Sequence, residues 1–378
     1  MIGKGKKVFV GMSGGVDSSV AAYLLRQQGY EVVGVFIKVW EPEGLPCAWR
    51  EERRDAMRVA AQLDIPLLTL DLSREYKVGV VDYLVAEYRA GRTPNPDVMC
   101  NKQIKFGAFY DWALAQGADF VATGHYAKIV SSRPKTVLPA HGHRGEFAIK
   151  PVFNLVQSKD QTKDQTYFLW NLTGGQLEHV LFPIGIYEKS QVRQLAAKAS
   201  LPTATKKDSQ GLCFIGKLDF TEFLKTLINT QSGQVLNEQG EVIGRHDGAA
   251  LYTPGQRHGF LVEQKSATDR PYYVLSKNIK NNTLTVTTDL KQSAGKTKQK
   301  NKEIELSAVN WIASEPKPNQ IYQARFRYRQ PLQSCRLSKS KAGNRWLVKF
   351  DAPQPVLPAG QSLVVYNGEI CLGGGIIE

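Results

Sequence analysis

Three stretches of this chain carry residue types that could do chemistry. The first is Ser13-Gly14-Gly15-Val16-Asp17-Ser18, preceded by Gly11 and Met12. Glycine at 14 and 15 lets the backbone approach a ligand and take positive φ. Ser13, Ser18 and Ser19 add hydroxyl donors to the same mouth. The second stretch holds Cys100 in RTPNPDVMCNKQIKF, just before a predicted helix, with Lys102 and Lys105 beyond it. A helix N-terminus and nearby cations favour a thiolate. The third holds Cys213 in KKDSQGLCFIG, a glycine-flanked segment able to expose a thiol. Burial as a structural cysteine is the alternative for Cys100. Cys47 sits in a loop with little around it, and Cys335 and Cys371 fall in strand-like segments as packing residues.

The glycine turn needs a strand before it and a helix after it. Val8, Phe9 and Val10 supply a short apolar strand, and Val16, Val20, Leu24 and Leu25 recur at helical spacing. The first amides of such a helix have no intrahelical partners and sit at the positive end of its dipole, which makes an anion site. The turn lacks the Lys of G-x-x-x-x-G-K-[ST], so it is not the common phosphate loop. Its S-G-G-x-D-S pattern matches the pyrophosphate loop of enzymes that split ATP between the α and β phosphates. With two loop thiols elsewhere, sulfur transfer suggests itself: one thiol carries a persulfide and the other resolves it by thiol–disulfide exchange.

Further elements extend the pattern. Strands are expected at Glu31 to Ile37, Leu67 to Leu70 and Asp119 to Thr123, with helices at Ala48 to Leu63, Tyr76 to Arg89 and through Ile104 to Trp112. Such alternation predicts an α/β domain, a doubly wound parallel sheet whose ligand edge holds the Ser13 turn, Ile37 and TGHY at 123–126. Two more helical stretches are predicted, Gln165 to Leu172 and Lys189 to Ala199, after a tandem KDQT at 159–166. Ser131 to Glu146 reads as a hairpin tip or a mobile insertion, and Lys291 to Lys302 as a Lys-rich mobile loop or linker. Beyond Asp208 the chain turns glycine-rich and alternating, then strand-like from Ile304. Three domains follow: a catalytic domain at 1–207, a small β-rich domain at 208–300 carrying the Cys213 segment, and a β-barrel at 301–378.

Composition narrows the class. A chain of 378 residues with 42% hydrophobic content can bury several cores. No apolar run approaches a membrane span and no secretory or transit segment precedes Val8, so a cytoplasmic protein without membrane contact is expected. A net charge of +14 points to a polyanionic partner, nucleic acid first. Five cysteines with no C-x-x-C argue against a disulfide framework or structural zinc, and no metal site is expected.

The sequence resembles the bacterial tRNA-specific 2-thiouridylase family along nearly its whole length. The blocks that carry the resemblance are GMSGGVDSSV, GRTPNPDVMCNKQIKF, TGHYAKI, KDQTYFLW, KKDSQGLCFIG, TPGQRHGF, RYRQ and PAGQSLVVYNGEICLGGGIIE. The resemblance implies ATP, with Mg2+, as co-substrate and no tightly bound cofactor. ATP would lie across Gly11, Met12, Ser13, Gly14, Gly15, Val16, Asp17 and Ser18, with Ile37 and Gly124 beside the adenosine. Ile37 stands where many relatives have Met. The C2 oxygen of a wobble uridine would be adenylated, Cys213 would hold sulfane sulfur, and Cys100 would release it, leaving a Cys100–Cys213 disulfide.

The resemblance also assigns Asn95, Pro96 and Asp97 to the target base. It assigns His125, Lys163, Asp164, Gln165, Arg327, Tyr328 and Gln361 to tRNA. The second KDQT copy is chosen because it directly precedes YFLW. Expected partners are the tRNA anticodon loop, a persulfide-donating sulfur carrier or cysteine desulfurase, and an external reductant, with the protein a monomer. The alternatives are another pyrophosphate-loop ligase, as in lysidine or argininosuccinate synthesis, and a non-enzymatic basic RNA-binding protein. An iron–sulfur cluster held by Cys100, Cys213 and one further ligand is another alternative.

Overall fold

In β1 (Lys7–Gly11), Phe9 points into one core while Val8 and Val10 point into another. Successive side chains of a strand face opposite ways, so an unbroken apolar run is what a strand covered on both faces requires. The computed structural model describes residues 3–42, 49–132, 151–208, 220–263, 270–289, 303–340, 345–354 and 356–378. Cys47, Cys213 and the segments 133–150 and 290–302 lie outside the described residues.

The chain runs from β1 into α1 (Val16–Gln27), β2 (Glu31–Lys38), α2 (Trp49–Leu63) and β3 (Leu67–Asp71). It continues helically through α3 (Ser73–Tyr76), Lys77–Asp82 and α4 (Tyr83–Arg89). Next come α5 (Pro96–Cys100), Asn101–Ala108 and α6 (Phe109–Ala115) as one helical run, then β4 (Phe120–Ala122). Cys100 therefore lies inside a helix and not ahead of one. Asn95 caps this helix by accepting from the Val98 amide, and Pro96 takes the first position, where its missing N–H costs nothing.

A hairpin, β5 (Ala127–Ser132) and β6 (Val152–Gln157), leads on to α7 (Gly174–Leu177), β7 (Val180–Leu181) and α8 (Lys189–Lys198). The helix expected over 165–172 is a single turn at Thr166–Phe168. Its apolar residues are buried by tertiary contacts: Tyr167, Leu169 and Trp170 all join the larger core. The first sheet has the order β3-β2-β1-β4-β7, every pair parallel. Strand order reverses between β1 and β4, and the crevice beyond their carboxyl ends is where such sheets bind ligands.

A short helix the sequence did not announce, α9 (Phe220–Leu227), opens the next part. Five strands follow: β8 (Gly233–Leu236), β9 (Val242–His246), β10 (Phe260–Val262), β11 (Tyr273–Asn278) and β12 (Thr283–Thr287). Their order is β10-β9-β8-β12-β11. Last come β13 (Glu303–Trp311), β14 (Ile321–Arg325), β15 (Gln333–Lys339), β16 (Trp346–Phe350), β17 (Ser362–Asn367) and β18 (Ile370–Ile377). These close antiparallel, with β13 pairing both β16 and β18, around Leu306, Phe326, Leu337, Phe350 and Leu363. The hairpin β5–β6 extends this last sheet, Val156 opposite Ile370 and Leu155 opposite Cys371. Part of the N-terminal half is thus built into the C-terminal sheet. Cys335 and Cys371 are buried, and burial pushes both thiols up to about 12, which suits packing.

Candidate active site

A cavity of about 540 Å³ opens at the carboxyl ends of β1 and β4. Gly11, Met12, Ser13, Gly15, Val16, Asp17 and Ser18 form its floor, and Ile37, Gly124 and His125 are in its wall. The cap of α1 is Gly15, whose lack of a side chain leaves the first helical amides without a side-chain cap. The hydroxyl of Ser18 accepts from the Ser13 amide (3.2 Å) and donates to the Gly15 carbonyl (3.2 Å), so the loop braces itself. Gly14 has φ +69°, and a Cβ there would meet the Glu52 carbonyl oxygen at 2.2 Å. Lys206 donates to the Gly14 carbonyl (3.0 Å) and to Asp55 (2.7 Å), tying the loop to α2.

Gly124 joins the two sides of the crevice. A Cβ at this position would sit 2.6 Å from the Ser18 nitrogen and 2.7 Å from the Asp17 carbonyl carbon, both backbone atoms. Gly124→Ala must therefore push the β4 loop away from the start of α1. Overpacking of this kind costs about 1–3 kcal/mol. ATP affinity, measured by calorimetry, is expected to fall by roughly tenfold if that strain is spent on the loop.

Charged groups crowd the mouth. Lys189, at the start of α8, donates to both oxygens of Asp17 (2.8 and 2.9 Å), and the Tyr126 hydroxyl donates to Asp17 as well (2.9 Å). Asp208 receives Lys189 (2.9 Å), Lys163 (3.0 Å) and Arg193 (2.7 Å). Burial works against the charge on Asp208, but the hydrogen bonds from Lys189 and Lys163 outweigh it and hold the carboxyl at about 2. Lys105, Lys207 and Arg329 add to the positive lining, against Glu52 and Asp97. Such a lining suits a polyanionic phosphate chain. Among the described residues no group of three or more His, Cys, Asp or Glu side chains could hold a metal ion.

The residues matched to the target base and tRNA separate into two sets. Asp97, His125, Lys163, Gln165 and Tyr328 line the cavity. Gln165 is fixed there by exchange with Tyr126: its amide donates to the Tyr126 carbonyl (2.8 Å), and its side-chain oxygen accepts from the Tyr126 amide (2.9 Å). The second KDQT copy thus faces the cavity, while in the first copy Asp160 receives the Lys189 amide (3.0 Å) and Thr162. The other set, which includes Asn95 and Pro96 at the start of α5, lies outside the cavity lining and contacts the protein itself. Asp164 is buried and held by Arg325, Thr166 and the Ser158 amide, so its carboxylate is not a surface contact for RNA. Gln361 donates to the carbonyls of Thr93 (3.0 Å) and Pro94 (3.4 Å), holding the loop before α5. Arg327 is exposed and donates to the carbonyls of Pro254 (3.4 Å) and Val356 (3.5 Å).

His125 is buried against Phe106 and Phe182, with Thr123 Oγ1 2.8 Å from its Nδ1 and Lys105 3.5 Å from its Nε2. Burial, reinforced by the Lys105 charge, holds its pKa well below 6.5. The folded protein then refuses a proton that the unfolded chain accepts below about pH 6.5. Stability contributed by His125 is full above that pH and declines as pH falls through it. Urea titrations from pH 8 to 5 are expected to show this slope, and His125→Gln to reduce it. His246, also lowered by burial, leaves a residual slope of the same sign.

Cys100 is buried in the larger core, one residue before the cavity-lining Asn101. Cys213 lies outside the described residues, and Lys207 and Asp208, the last residues before that segment, line the cavity. Sequence reasoning missed Asn101, Tyr126, Lys189 and Asp208. Tyr126 was inside a recognised block, but nothing local marks Lys189, which meets Asp17 across 172 residues of chain.

Protein-family models agree with this architecture. Family models match in three consecutive pieces: the tRNA methyl transferase HUP domain over residues 6–217, the tRNA methyl transferase PRC-barrel domain over 221–288, and the aminomethyltransferase beta-barrel domain over 301–377. The tRNA-specific 2-thiouridylase MnmA of Enterococcus faecalis is 42% identical over 98% of this chain and 95% of its own length. The protein of the same name from Thiobacillus denitrificans is 43% identical over 98% and 99%. Among solved structures, the U34-tRNA thiolase NcsA from Methanococcus maripaludis covers 59% of this chain and 65% of its own, with 17% identity and a TM-score of 0.32. With three domain models in register and identity above two-fifths from end to end, the chain belongs to the tRNA-specific 2-thiouridylase family.

Proposed function

We propose that this chain uses ATP to adenylate the C2 oxygen of the wobble uridine of tRNA and replaces that oxygen with sulfur. The observation that carries the reading is one cavity shared by the Ser13–Ser18 loop, Asp97 and the Lys207–Asp208 approach to the cysteine segment. ATP phosphates lie over the uncapped start of α1, with Ile37 and Gly124 beside the adenosine. Lys163 and Lys189 are the cations able to leave Asp208 and Asp17 for a phosphate oxygen. Mg2+ accompanies the nucleotide, and Asp17 is the carboxylate at the loop mouth that could meet it.

The uridine oxygen attacks the α phosphorus, pyrophosphate departs, and the C2 substituent becomes AMP, a far better leaving group. Cys213 presents a persulfide. The Cys100 thiolate attacks the Cys213 sulfur of the persulfide, the persulfide S–S bond breaks, the terminal sulfur leaves at the sulfide level and bonds to C2 as AMP departs, and a Cys100–Cys213 disulfide remains for an external reductant. Covalent geometry supports the pairing: Cys213 follows Asp208 by five residues, a reach of at most about 18 Å from the cavity wall. The persulfide comes from a sulfur carrier or cysteine desulfurase, and the reaction is cytoplasmic and needs only a monomer.

The test is mass spectrometry of tRNA nucleosides from a strain lacking the gene. Complementation with the wild-type gene restores wobble 2-thiouridine if the reading is right. Its absence in the complemented strain sinks the reading.

A further inference from the structure

Asn101 is a buried polar side chain with half of its amide unused. It is 4% exposed, lines the cavity, and donates through Nδ2 to the Phe168 carbonyl (3.0 Å). Its Oδ1 is buried and has no hydrogen-bond partner among the described residues. The bond to Phe168 settles the amide's orientation, since a flip would set two carbonyl oxygens against each other. An unpaired buried acceptor costs about 1–3 kcal/mol, so a folded protein that keeps one usually has a donor for it in another state.

The surroundings say what that donor belongs to. Asp97, Asn101 and Lys105 are spaced by four residues along one helical run, and all three line the cavity. The Phe168 ring also lines it, 4.7 Å from Tyr328, so the carbonyl that holds Asn101 belongs to an aromatic residue of the same wall. An unstacked base beside aromatic side chains, read on its Watson–Crick edge, is the usual way proteins identify single-stranded RNA.

Resting on the function proposed above, we infer that Asn101 is the residue that selects uracil, its Oδ1 accepting the N3–H of the target base before adenylation. Uracil offers a donor at N3. Cytosine offers a lone pair there, which would face Oδ1 as acceptor against acceptor. A buried site built for a hydrogen bond rejects the analogue that lacks it, because its own polar group is then left unpaired.

The test measures binding of anticodon stem-loop RNAs to the full chain, with uridine, cytidine or 3-methyluridine at the target position. Wild type is expected to favour uridine over each of the others by about tenfold or more. Asn101→Ala is expected to weaken uridine binding and to shrink both preferences to within about twofold, a coupling that a double-mutant cycle isolates. A single cooperative melt shows that the variant is folded. Equal weakening of all three RNAs would make Asn101 merely structural and overturn the inference. So would wild type that binds 3-methyluridine as well as uridine, an outcome that needs no variant. Failure of wild type to thiolate a uridine stem-loop would instead strike the function on which the inference rests.

Discussion

Cys213→Ala and Cys100→Ala are each expected to cut tRNA 2-thiolation by roughly 10³-fold or more, while ATP affinity stays within about twofold. Both thiols are required because each makes or breaks a different sulfur bond, and neither contacts the nucleotide in the proposed scheme. The two variants should also still release pyrophosphate when tRNA and ATP are present, since adenylation precedes sulfur transfer. That split between half-reactions is the informative readout. A variant that lost both would have lost the fold or the cavity, not a nucleophile. Cys100 needs this control more than Cys213, because it is buried in the larger core and its replacement is expected to cost about 1 kcal/mol of stability. Thiolation that survives Cys100→Ala would return Cys100 to the packing role its burial alone suggests.

Much of the N-terminal architecture was legible because its signals are local. The unbroken apolar run of β1, the glycine turn and the 3.6-residue period of α1 all lie within Lys7–Gln27. Asn95 and Pro96 are helix-start signals too, but Gly91, Pro94 and Pro96 in one short stretch read as a broken loop, which places the expected helix start after Cys100. The expected helix over 165–172 failed for the opposite reason. Its apolar residues are spaced to fill gaps between the parallel sheet and the barrel, and periodicity cannot distinguish that from an amphipathic face. Lys189 was out of reach because its meaning depends on partners brought together only by the fold, and Asp208, although inside a quoted block, takes its role from the same partners. The same holds for the hairpin β5–β6, whose pairing with β18 spans more than half of the chain.

The contact that fixes this joint is the buried pair Asp164–Arg325, with side chains 0% and 6% exposed. Arg325 is on β14, and its guanidinium also meets the Tyr366 hydroxyl on β17 (2.8 Å). Asp164 spreads its remaining acceptor capacity over Thr166 (2.8 Å) and the Ser158 amide (3.1 Å). The Asp164 carboxylate is fully buried and the Arg325 side chain nearly so, and removing one partner strands a buried charge. Asp164→Ala is expected to destabilise the protein by about 3–5 kcal/mol, read from denaturant unfolding of the full chain. Arg325→Ala should cost a similar amount, and the double variant less than the sum, because the second deletion removes the charge stranded by the first. Additive losses would show that the two side chains act independently. The consequence for activity follows from sequence adjacency. Lys163 and Gln165 flank Asp164 and line the cavity, so loosening the pair displaces both at once. Thiolation is expected to fall further in Asp164→Ala than in Lys163→Ala, although Asp164 itself never reaches the cavity. A residue matched to RNA by its place in a motif would then be explained by the barrel it anchors.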